Sequence, residues 1–316
     1  QDGPRDRLAF ASWLASSDNP LVGRVTMNRH WAAFFGAGMV RTMQDFGFQG
    51  ELPTNPALLD WLAVEFVKQG WSVKKMHKLI VMSATYQQSS HVTPELLARD
   101  PDNRLLARAP RVRLPAEMVR DQALFAAGLL VEQIGGPSVM PYQPAGLWKE
   151  LSGTDHVPEH GEKLWRRSLY TFWKRTSPPP TMMTFDAAGR EACSVKQSRT
   201  TTPLQALALM NEITFVEAAR KLAERAMKSA GPDAPARLAF AFRLVNAREP
   251  RAAELEILVA GFEQQLARFR KDPQAALELV GIGEAPRDTT LPLAELAAFT
   301  TTANLMLNLD EAITRP

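Results

Sequence analysis

Apolar positions recur along most of this chain at the three- and four-residue spacing of an amphipathic helix, broken at prolines, glycines and small polar residues. Leu8, Trp13 and Leu14 mark a first short helix between Arg5 and Ala15. Asn19-Pro20 restarts the chain, with Asn as cap and Pro in the first turn, and the next helix runs to Phe35, where Gly36 suits a left-handed cap. Arg24, Asn28 and Trp31 share a face of it. They read as the satisfied polar side of a partly buried helix or, alternatively, as a contribution to a pocket. Asp45-Phe46-Gly47 reads as a turn. Asn55-Pro56 opens a strongly periodic helix with Leu58, Leu59, Trp61, Leu62 and Phe66 apolar, and Ser72 caps another that carries Met76 and Ile80. His77 stands alone among lysines on that helix and reads as a solvated residue. From Pro115 a longer helix continues towards Val131, with Glu117, Arg120 and Asp121 as a salt-bridged polar side. After Thr202-Pro203 the pattern is helical to the end.

The helical period fails in the middle. Glycine and proline punctuate residues 135–162, and ordered loops of that length in compact domains usually bind or cover something. In Ser168–Trp173, β-favouring residues lie between Arg166-Arg167 and Lys174-Arg175, which predicts one or two short extended pieces. Pro178-Pro179-Pro180 predicts polyproline II. The expected organisation is a helical half over 1–134, a central loop and short-strand segment over 135–202, and a second helical half over 203–316, forming one compact domain. The class is mainly α, a multi-helix domain with a long central loop region and at most a small β hairpin.

Composition removes several function classes. No apolar run approaches the roughly 20 residues of a membrane-spanning helix. The net charge is only +3, and basic residues alternate with acidic ones, so no nucleic-acid footprint stands out. The single cysteine, Cys193, excludes an intrachain disulfide, a CxxCH haem attachment and a multi-cysteine zinc site. No cofactor is therefore expected within this chain. The polar start, QDGPRDR, lacks an initiator Met and a signal-peptide core and reads as cut from a longer protein.

Candidate chemistry concentrates between Arg166 and Leu207. Arg166, Arg167, Arg175, Arg190 and Arg199 offer fixed donors, Asp186 and Glu191 offer carboxylates, and Tyr170 and Trp173 offer flat apolar faces. That mixture suits a sugar or polyanion. It equally suits a structural knot in which buried arginines tie irregular loops to backbone carbonyls. Asp186 and Glu191 are the candidate general acid/base pair. Cys193 lies near two arginines in sequence, without a histidine in the segment to complete a Cys–His pair. His156 and His160, with Glu159 and Glu162, form the only metal-like spacing, set in a loop that does not fix both imidazoles on one side. Serine-hydrolase elbows, Walker loops, Rossmann fingerprints and HExxH are absent.

The order of several motifs resembles a planctomycete-type domain of unknown function that lies C-terminally in large exported proteins. The pieces run from NRHW at Asn28–Trp31 and DFG at Asp45–Gly47, through LLDWL at Leu58–Leu62 and GGPS at Gly135–Ser138, to RRSLYTFWKR at Arg166–Arg175. FDAAGREAC at Phe185–Cys193, TPLQAL at Thr202–Leu207 and NLDE at Asn308–Glu311 complete the set. The resemblance implies a periplasmic or cell-surface location, upstream domains of the same polypeptide as partners, and a haem c possible elsewhere in the parent protein. It supplies no activity and no catalytic residues. The expectation is a binding or scaffold module for a glycan or a neighbouring domain. The alternatives are part of a carbohydrate-active or haem-coupled enzyme, or a purely structural domain on its upstream neighbour.

Overall fold

A computed structural model describes residues 6–195 and 199–315. The first five residues, part of the stretch read as cut from a longer protein, lie outside the described residues. The chain forms two compact units, one reaching to Val112 and taking in Arg315, the other spanning Arg113–Thr314. The seam falls earlier than the sequence boundaries at 134 and 202, because the helix after Pro115 packs on helices of the chain's second half.

The first unit holds α1 (Arg7–Leu14), α2 (Val22–Phe35), α3 (Pro56–Lys68), α4 (Val73–Val81) and α5 (Pro94–Arg99). The side chains of Asn55, Ser72 and Thr93 accept from the third backbone N–H beyond them and so start α3, α4 and α5. Gly36 closes α2 at φ 78°. The core is built from Met27, Trp31 and Phe35 of α2, Leu59, Leu62 and Phe66 of α3, and Met76 and Ile80 of α4. Gly23 lets α2 and α3 close up, since a Cβ there would stand 3.2 Å from the Ala63 carbonyl oxygen.

The second unit is larger. It contains α6 (Ala116–Ala127), α7 (Leu147–Ser152), α8 (Pro180–Thr184), α9 (Pro203–Asn211), α10 (Ile213–Ser229), α11 (Ala234–Asn246), α12 (Ala252–Lys271), α13 (Pro273–Val280), α14 (Leu293–Leu307) and α15 (Asp310–Ile313). At its centre α10 and α14 pack together, with α6, α9, α11, α12 and α13 around them. Both are rich in small buried residues, Ala218, Ala219 and Ala223 on one and Ala297, Ala298 and Ala303 on the other, which allows a close approach. Buried Thr300 and Thr302 are satisfied along their own helix by the Leu296 and Ala298 carbonyls. Asn304 and Asn308 donate to Leu209 O and Ala206 O of α9. The sheet among the described residues is one short antiparallel pair, β1 (Val112–Arg113) and β2 (Thr314–Arg315). The mainly helical class is thus as the periodicity predicts, and no described helix is long and apolar enough to cross a membrane.

Several local expectations change. Ser168–Tyr170 is a 3-10 turn, and the backbone around it makes isolated parallel bridges, Val131 with Arg166 and Val139 with Thr171. Its pairing partner is thus the preceding loop, not a hairpin strand. Pro179 is extended at φ −56° and ψ 120°, but Pro180 begins α8 because its fixed φ also suits a first helical turn. Trp61 is 50% exposed, since the inward stripe of α3 passes through Leu59, Leu62, Ala63 and Phe66. His77 is half-buried, with Nε2 2.9 Å from His30 Nδ1 and its ring edge-on to Phe34.

That imidazole pair has a pH signature. One ring must donate and the other accept, so only one proton can lie between them. Burial, and secondarily the neighbouring His77, lower the His30 pKa below its ordinary 6.5. The unfolded chain therefore takes up the proton more readily than the folded one. The contribution is full above about pH 6.5 and is lost as pH falls through that value towards the lower folded pKa. The thermal midpoint of the first unit is expected to drop between about pH 7 and 5.5, and His30→Asn to flatten that dependence. An unchanged slope in the variant would contradict the assignment.

Candidate functional site

The central segment is held from inside by arginines. Arg166, 5% exposed, donates from Nη1 to Pro137 O at 3.0 Å and from Nη2 to Gln133 O and Gly135 O at 3.0 and 2.5 Å. Its guanidinium carbon lies 3.9 Å from the centre of the Tyr170 ring, and the Tyr170 hydroxyl accepts from Gly135 N at 2.7 Å. Gly135 and Gly136 adopt φ of 81° and 87°, a region a side chain disfavours, so the glycines of GGPS are what lets three carbonyls face one guanidinium. Arg120 of α6, equally buried, does the same. It donates to Leu164 O, Arg166 O and Ser168 Oγ at 2.5, 3.0 and 3.1 Å, while Asp121 accepts from Ser168 N at 2.7 Å. Burial lowers the Arg120 pKa, against the opposing charges of Asp121, Glu212 and Glu217. The expected salt-bridged surface on this helix is instead an internal brace for the segment.

A second node forms at Asp186, which stands at φ 60° just after buried Phe185. Arg113 donates to its carboxylate and, at 3.1 Å, to Phe185 O. Thr200 donates through its N–H at 2.8 Å and its hydroxyl at 3.0 Å, and Gln205 Nε2 approaches at 3.4 Å. Gln205 also completes the capping box that starts α9 with Thr202. Arg199 joins the node by donating to Arg113 O at 2.8 Å. Burial raises the Asp186 pKa, but the Thr200 bonds and the Arg113 charge outweigh it, and the net shift is downward. A carboxylate saturated in this way is an ionised tie and a poor proton donor.

The outer side of the same segment is different. Arg190, exposed and at φ 61°, lies over the Trp173 ring at 4.3 Å, and Trp173 Nε1 donates to Gly189 O at 3.4 Å. Lys174 sits over Trp148 at 4.3 Å. Arg167, Arg175, Glu191 and Cys193 are exposed. Of the candidate acid/base pair, Asp186 is held by Arg113 and Thr200, while Glu191 is exposed. The histidines are also separated in role. His156 Nε2 lies 2.7 Å from Pro141 O with its ring against Trp148, whereas His160 Nδ1 lies 2.7 Å from Glu284. Among the described residues no three side chains of His, Cys, Asp or Glu converge as a metal site would require.

Charged residues on α10 escape a sequence reading. Glu217, fully buried, accepts from Trp165 Nε1 at 2.9 Å and Ala285 N at 2.6 Å. The Tyr142 hydroxyl lies 3.4 Å away, and burial, then the Glu217 charge, push its pKa up. Arg220 donates to Ala285 O at 2.6 Å and to Glu224 at 3.1 Å, and Glu224 accepts from Asp288 N. Together they clasp residues 283–288, and at Gly283, φ 88°, a Cβ would stand 2.5 Å from Glu217 Oε1. The only sequence signal is the i, i+3, i+7 spacing of charges inside an alanine-rich helix.

Against known proteins, the model of one family matches residues 6–262; it is described as PSD1, a protein of unknown function (DUF1553). No curated protein and no solved structure matches the chain.

The buried ties and exposed cations separate by mutation. Arg120→Met is expected to destabilise the second unit by about 3–5 kcal/mol, because it strands the Leu164 and Arg166 carbonyls and the Ser168 hydroxyl in the interior. Arg175→Ala is expected to change stability by less than about 0.5 kcal/mol. Urea unfolding followed by circular dichroism checks both, and equal losses would contradict the division.

Proposed function

The chain belongs to the PSD1 family of proteins of unknown function (DUF1553), and for it we propose a non-catalytic binding module whose second unit recognises an anionic glycan. The observation behind this reading is the division within one segment. Asp186, Arg113, Arg120 and Arg166 are spent on internal partners, while Arg190 stands exposed over the Trp173 indole at 4.3 Å. A guanidinium laid over an indole is held in place and presents an oriented fork for a sulfate or carboxylate. The saturated Asp186 speaks against the glycosidase alternative, in which one of two carboxyls must donate a proton. The likeness of the motifs to the planctomycete-type domain supports setting the module in a periplasmic or cell-surface parent, with a haem c in other domains of that protein.

A second reading is docking to a neighbouring domain of the same polypeptide. It is favoured by Leu169 and Phe172, 65% and 41% exposed within the same segment.

A glycan array carrying sulfated and uronic-acid sugars distinguishes the two. Wild type is expected to bind charged glycans saturably, and Arg190→Ala to lose about tenfold or more in affinity with an unchanged melting temperature. Absence of binding by wild type, or full binding by the folded variant, would refute the glycan reading and leave the docking one.

A further inference from the structure

Helix α9 of the second unit is apolar on both of its sides. Leu209 is buried on the inner side together with Gln205, whereas Leu204, Leu207 and Met210 recur at three-residue steps along the outer side and stay exposed. A helix with apolar residues all round is ordinarily covered all round. This one is held firmly from within. Thr202 and Gln205 form its capping box, Gln205 Nε2 donates to Thr184 O of α8 at 2.9 Å, and Asn304 and Asn308 of α14 and its end donate to Leu209 O and Ala206 O at 3.1 and 3.2 Å. The outer row is therefore pre-organised, and a partner would pay little to order it.

The same bonds bring further apolar side chains alongside. Met183 precedes Thr184 in α8, Leu305 follows Asn304 in α14, and Ile213 stands at the corner where α9 passes into α10. These three and the three of the row are between 40% and 61% exposed. Together they open roughly 550 Å² of apolar surface, at the upper end of the ~300–600 Å² of the largest patch on a monomer. A standard interface buries about 800 Å² per partner, about 65% of it apolar between identical subunits, which amounts to about 500 Å². The patch matches what one half of such a dimer needs.

Charge is missing from the same place. α8 and α9 contain no charged residue, and α14 contains only Glu295 in its first turn, in a chain of which 22% is charged. A two-fold interface must be complementary to itself, and an uncharged apolar row sets no like charges against each other across the axis. Recognition of a different protein ordinarily uses opposite charge to steer and select, which these helices do not supply. We infer that two copies of this chain associate through this face, α9 against α9 across a two-fold axis, as an isologous dimer.

Sedimentation velocity of the whole chain tests this. Wild type should pass from monomer to dimer between about 1 and 100 µM. Leu207→Glu, at an exposed position, should weaken association at least about tenfold with an unchanged melting temperature, because each copy would press a carboxylate against the other. An equimolar mixture of Leu207→Glu and Leu207→Arg should associate again, since position 207 lies in the middle of the row and meets its counterpart across the axis. Leu169→Glu, on the central segment, should dimerise as wild type does. Without any substitution, the Met183 and Met210 methyl NMR signals should move with wild-type concentration while that of buried Met76 stays in place. A wild-type chain that remains monomeric up to about 100 µM, or a folded Leu207→Glu variant that dimerises undiminished, would overturn the inference. The first result would leave the face to another domain of the same polypeptide.

Discussion

Backbone carbonyls that leave regular structure and remain inside a protein must find donors, and in this chain guanidinium groups supply them. Arg113, Arg120, Arg166 and Arg220, all nearly inaccessible, give bonds to the carbonyls of Leu114 and Phe185, Leu164 and Arg166, Gln133, Gly135 and Pro137, and Ala285. The planar fork of arginine reaches several acceptors at once, which an ammonium group cannot do with the same geometry. The helices around α10 and α14 are ordinary amphipathic packing. What distinguishes the second unit is that connecting stretches, within 131–173 and at 283–288, are fastened to that packing by charge-assisted bonds.

The same constraint sorts the candidate site. Groups with chemical potential are consumed from the inside outward, first the arginines, then Asp186 and Glu217. The outer layer differs, for there Arg190 lies exposed over an indole ring. Glu212 shows that perturbation alone is not function. Burial raises its pKa against the bonds from Thr214, yet its carboxylate caps the first turn of α10.

The helices were largely legible before the fold. Asn55, Ser72 and Thr202 cap where their positions predict, since capping acts within three residues and leaves a local trace. Gly36 closes α2 as expected. The ties were not legible. Arg120 beside Asp121 looks like a solvated face because its true acceptors lie 44–48 positions further along the chain. Arg113 carries no local signal, since it sits in a two-residue strand more than 70 positions from its partner Asp186. His77 looked solitary because its partner, His30, is 47 residues away. Periodicity records which face turns inward, as Trp61 shows by turning out of an otherwise correct stripe. It does not record what a charge meets there.

One consequence concerns Cys193, which is exposed, follows Arg190 by three positions and is the chain's single cysteine. A thiol-directed dye or spin label therefore attaches at one defined place, with no cysteine to remove and none to introduce. The sequence thus already carries a reporter handle beside the exposed Arg190 and Glu191 of the central segment. Changes in that segment's surroundings can be followed spectroscopically without altering any of the arginines that hold it.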